Sequence, residues 1–64
     1  MAETTFDIFR GRSKQDALWL EVVDGLSNAR ERMQAIADQT PGSYFIYSTQ
    51  QHSIVVTIET FGSG

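Results

Sequence analysis

Sixty-four residues with no cysteine, one histidine and a net charge of −3 exclude a disulfide scaffold and leave no ligand set for a structural zinc. Apolar residues make up 41% and charged residues 20%, too apolar a balance for a disordered chain. A chain this short buries only about 60% of its unfolded-state surface, so its own core gives marginal stability, and oligomerisation is the supplement its composition leaves open.

The acidic balance disfavours nucleic acid, whose binding rests on neutralised phosphates. No run approaches the roughly 18 apolar residues that signal a membrane span. The start, MAETTFD, has neither a basic leader nor an apolar segment, so the expectation is a cytoplasmic protein without a signal peptide.

Thr4–Arg10 alternates, with Phe6 and Ile8 on one side and Thr5, Asp7 and Phe9 on the other, and reads as a first strand. Gly11–Asp16 is polar with a leading glycine and suits a hairpin loop. Ala17–Val23 is the second strand, placing Leu18, Leu20 and Val22 on one face and Trp19, Glu21 and Val23 on the other.

Gly25–Gln39 is the helix. At 3.6 residues per turn Leu26, Ala29, Met33, Ile36 and Ala37 fall in one stripe, with Glu31, Gln34 and Asp38 opposite. Either Asp24 or Gly25 suits its N-cap. Pro41 disfavours helical geometry at Thr40 and Gly42 lets the chain turn. Ser43–Thr49 is the third strand, Gln50–Ser53 a polar connection, and Ile54–Thr60 a strongly β-branched fourth strand.

The whole chain, 1–64, therefore reads as one α+β domain of order ββαββ: a four-stranded, mainly antiparallel sheet with the helix on one face. Strand order is open between 2-1-3-4 and 2-1-4-3.

The pieces Phe6, Ile8, Phe9, Arg10; Trp19, Leu20, Glu21; Gly25, Leu26, Arg30, Arg32; and Thr40, Pro41, Gly42, Tyr44 together resemble a group of short uncharacterised bacterial proteins. The resemblance covers about two-thirds of the chain. It implies a bacterial origin and a small ββαββ unit, and carries no activity, cofactor or catalytic residue.

Candidate chemistry is sparse. His52 sits in a polar connection without an evident partner to orient it, and reads as an exposed turn residue. Asp7, Glu21 and Glu59 are strand carboxylates that would need a cleft and unequal environments to act as an acid–base pair. No catalytic, cofactor-binding or metal-binding residue is assigned, and the expectation is a non-enzymatic protein. Arg10, Arg12 and Lys14 are the anion-contact candidates around the first loop.

The oddity is surplus apolar surface. Leu18–Leu20 with Val22–Val23, and Tyr44–Tyr47, are near-continuous apolar runs, which signal burial on both faces of a sheet. One helix covers one face. If Phe6, Ile8, Leu18, Leu20, Val22, Ile54, Val56 and Ile58 face the helix, then Phe9, Trp19, Val23, Val55 and one aromatic pair of the third strand, with Tyr47 in it, form the far side. The expected role is an interaction module that is a homodimer through Phe9, Trp19, Val23, Tyr47 and Val55, with room for an unidentified protein partner. The competing reading is a nucleic-acid-associated or antitoxin-like regulator using the Arg10–Lys14 loop and the sheet aromatics.

Overall fold

The computed structural model describes residues 4–13 and 15–60. Thr5–Arg10 (β1), Leu18–Asp24 (β2), Leu26–Gln39 (α1), Ser43–Ser48 (β3) and Ser53–Glu59 (β4) follow one another as ββαββ. The strands form one antiparallel sheet in the order β2-β1-β3-β4. Of the two orders open from sequence this is the one with no parallel neighbours. β1 lies between β2 and β3, and the helix carries the chain over β1 from one to the other.

The helix begins at Gly25, whose φ of 85° is open to glycine at little cost and strained for any other residue. The Gly25 N–H donates to the Thr4 carbonyl at 2.8 Å, and the Gly25 carbonyl accepts the first helical bond from Ala29 at 3.0 Å. Asp24 does not cap with its side chain. It offers its carbonyl to Asn28 Nδ2 at 3.0 Å instead. At the other end the Thr40 N–H returns to the Ile36 carbonyl.

Ala29, Met33 and Ala37 are buried against Phe6 and Ile8 of β1 and Tyr44 and Ile46 of β3. Leu20, Val23, Ile36, Val56 and Ile58 pack around that centre, half-buried. Two alanines in the stripe let the helix approach the sheet closely, and Met33 fills the remaining space. Leu26, at the open end of the stripe, is 37% exposed.

Both edge strands are bulged, and the bulges overturn part of the expected face assignment. Ile8 pairs with Glu21 but Phe9 pairs with Trp19, so Leu20 is the extra residue in β2. An inserted residue exchanges the faces of everything beyond it. Val23, opposite Phe6, therefore lies on the helix side, and Val22, opposite Asp7, lies on the far side, the reverse of the expectation. Leu18 is paired with Arg10 at the strand end and is 64% exposed, so it is not core. In β4, Ile46 pairs with Val56 and Tyr47 with Ile54, which makes Val55 the extra residue and moves Ile54 to the far side.

The apolar run in β3 does reflect burial on both faces: Tyr44, Phe45 and Ile46 are all buried. The run in β2 does not. That strand is an edge, and its Trp19 and Val22 are each about half-exposed.

Candidate functional site

The sheet registers fix two rows across the face turned away from the helix. The first is Trp19, Phe9, Phe45 and Thr57, reading from β2 to β4. The second is Val22, Asp7, Tyr47 and Ile54. β-branched and aromatic residues hold such positions because their side chains pack across neighbouring strands.

The rings are organised. Phe9 stacks on Phe45 with centroids 5.0 Å apart and planes inclined by 13°. Tyr47 meets the same Phe9 ring edge-on, at 6.4 Å and 88°. Both arrangements match the favourable offset and T-shaped geometries of quadrupolar rings. Phe45 is fully buried within this cluster while Phe9 and Tyr47 are half-buried. The outer members are the exposed ones: Trp19 at 53%, Val22 at 51% and Ile54 at 40%. Val55, in its bulge, is 36% exposed.

Of the five residues expected at an interface, Phe9, Trp19 and Tyr47 share this face and Val55 borders it in the β4 bulge. Val23 is on the other side, against the core. Val22, Phe45 and Ile54 belong to the face and escaped sequence reasoning. For Phe45 the signal existed, since it and Tyr47 alternate and one aromatic pair had to lie there. For Val22 and Ile54 none existed, because each depends on a bulge.

The basic residues do not join the aromatics. Arg10 is opposite Tyr44, on the helix side of the sheet, and its guanidinium lies close to Gly42. Arg12 stands at the sheet end, 3.9 Å from Glu59 in an exposed pair. Lys14 lies outside the described residues. The three carboxylates are likewise dispersed: Asp7 is on the far face, Glu59 is beside Arg12, and Glu21 is on the helix side, where Arg32 Nε donates to it at 2.8 Å. His52 is exposed in the β3–β4 turn with a φ of 56°.

A concavity of about 420 Å³ opens at the end of the sheet, lined by Gly11, Arg12, Ser43, Tyr44, Ile58 and Glu59 with Thr57. Its charged groups, Arg12 and Glu59, face water and each other. Among the described residues no three His, Asp or Glu side chains converge as metal ligands, and no helix is long and apolar enough to cross a membrane.

No family model, curated protein or solved structure matches this chain.

Proposed function

We propose that this protein is a small non-catalytic assembly module, acting in the cytoplasm, whose aromatic sheet face packs on the same face of a second copy. The observation that carries this is the pair of rows Trp19–Phe9–Phe45–Thr57 and Val22–Asp7–Tyr47–Ile54, with α1 on the opposite side of the sheet.

Size favours a copy of this chain as the occupant. Four strands about 4.8 Å apart and six or seven residues long present roughly 400 Å² in projection. Two such faces packed together remove about 1,000 Å² of accessible surface, the threshold for a biological interface and the size of a weak one. Chemistry favours it too. The two rows hold one acidic side chain, Asp7, so a twofold arrangement brings together mainly rings and aliphatic groups. A chain with so small a core gains stability from this contact in proportion, and association and folding are coupled.

Sedimentation equilibrium at micromolar concentration tests the reading, with Trp19→Lys as the perturbation. The expected result is a self-associating wild type whose melting temperature rises with concentration, and a Trp19→Lys chain of reduced mass. A wild type of monomer mass, with Trp19 fluorescing as a water-exposed indole, overturns it.

A further inference from the structure

From the free edge of β4 we infer a second self-association surface: antiparallel pairing of β4 with β4 of another copy, centred on Thr57. It goes beyond the face contact proposed above and stands without it.

Among the described residues the sheet ends at β4, and no strand pairs with its outer side. Which groups point outward follows from the strand's bonds. The Thr60 N–H donates inward to the Gly42 carbonyl at 2.8 Å. Alternation along an antiparallel ladder then turns the Ile58 and Val56 amides toward β3 and the Thr57 and Glu59 amides outward. On the far side of β3, the Gly11 N–H donates to the Ser43 carbonyl at 2.8 Å, which gives β3 the matching phase.

Edge strands commonly carry lysine, proline or inward-pointing charge that blocks pairing. β4, SIVVTIE, has none until Glu59 at its last position. Its one irregularity is the bulge at Val55, which leaves the stretch from Val56 onward regular. Within that stretch Thr57 turns its backbone groups outward and has a regular residue on each side, so pairing centres on it. In this register Thr57 meets Thr57 of the second copy and Val56 meets Ile58, while Glu59 comes level with the Val55 bulge, so no two carboxylates stand opposite. The other edge is less suitable. β2 carries Glu21 and Asp24, and Glu21 is already bonded to Arg32.

The helix supplies a further reason. It packs principally on β1, β2 and β3 and leans away from β4, so Val56 and Ile58 remain only half-buried on the helix side. Pairing the two β4 strands sets Val56 against Ile58 of the second copy and covers both. Backbone hydrogen bonds supply the affinity and these apolar pairs supply the register.

Thr57 also stands in the first row of the aromatic face, so Thr57→Pro is made in the Trp19→Lys background, where the edge contact alone is read. It deletes an outward N–H and keeps the inward ladder, a position where a strand tolerates proline. The expected result is wild-type circular dichroism with association through β4 weakened at least about tenfold by sedimentation. Val55→Glu and Val55→Lys form the second test, because the first sets a carboxylate beside Glu59 of the other copy and the second sets an ammonium there. Val55→Glu dissociates the edge contact and Val55→Lys retains it. This pair decides the matter if the proline variant does not fold.

A folded Trp19→Lys, Thr57→Pro protein with the mass distribution of Trp19→Lys alone overturns the edge contact. So does equal association of the two Val55 variants. Failure of the face contact has a different signature: Trp19→Lys then leaves the mass unchanged while Thr57→Pro reduces it.

Discussion

The phenol of Tyr44, buried in β3, donates a hydrogen bond to the Thr40 carbonyl at the helix C-terminus. Four residues apart, the two close the Pro41–Gly42 turn and hold the helix end on the sheet. The ring is core and the hydroxyl is a cap, which explains a tyrosine where phenylalanine would fill the space. Tyr44→Phe keeps the packing and leaves a helix-end carbonyl without this donor, so it should cost about 1–2 kcal/mol in urea unfolding. An unchanged midpoint would show that the turn holds without it.

Among the described glycines Gly11 is the most constrained. Its φ is 146°, and a Cβ there would lie 2.9 Å from the Ala17 Cα, a backbone atom that cannot step aside. Gly11→Ala should destabilise by about 2–4 kcal/mol, combining backbone strain with overpacking. Chemical denaturation followed by Trp19 fluorescence measures it.

His52 occupies the left-handed region at φ 56° in the hairpin turn between β3 and β4. The same turn is held by the Gln51 N–H donating to Ser48 Oγ at 3.1 Å. His52→Gly relieves the conformational cost and loses some through a freer unfolded chain, for a net gain of roughly 0.5–1 kcal/mol. A fall in melting temperature would mean that the imidazole makes a stabilising contact in solution.

Met33 is 2% exposed at the centre of the helix stripe. Met33→Asp buries an unpaired carboxylate, which costs several kcal/mol against a total of roughly 5, and the chain should unfold at room temperature. The same change at Ile36, which is half-buried, should be milder, and Gln34→Ala, on the exposed side, should shift stability by less than about 0.5 kcal/mol. Thermal melts of the three variants rank the positions.

Glu21 and Arg32 link β2 to the helix in water-exposed surroundings. A double-mutant cycle with Glu21→Gln and Arg32→Gln should return a coupling of about 0.2–1 kcal/mol that shrinks in molar salt. A larger, salt-insensitive coupling would place the pair in a drier setting than its exposure indicates.

Much of this fold is legible in the order of the residues. Local preferences set the elements: Asp24-Gly25 ends a strand, the 3.6-residue stripe makes a helix, and Pro41-Gly42 stops it. The uninterrupted apolar run of Tyr44–Ile46 matched burial on both faces, whereas the similar run in β2 did not, because β2 lies at the sheet edge. That Phe45 and Tyr47 share a face followed from period two, but which pair of β3 joins Phe9 was decided by the register of β1 on β3. Strand order did not follow, since nothing local records which strand sits beside β1. Nor did the faces of the outer strands. The extra residues Leu20 and Val55 break the period, and a bulge is decided by how two strands fit against each other over their whole length. That is why Val22 and Ile54 reached the open face and Val23 the core: alternation is a property of one strand, whereas register belongs to the pair.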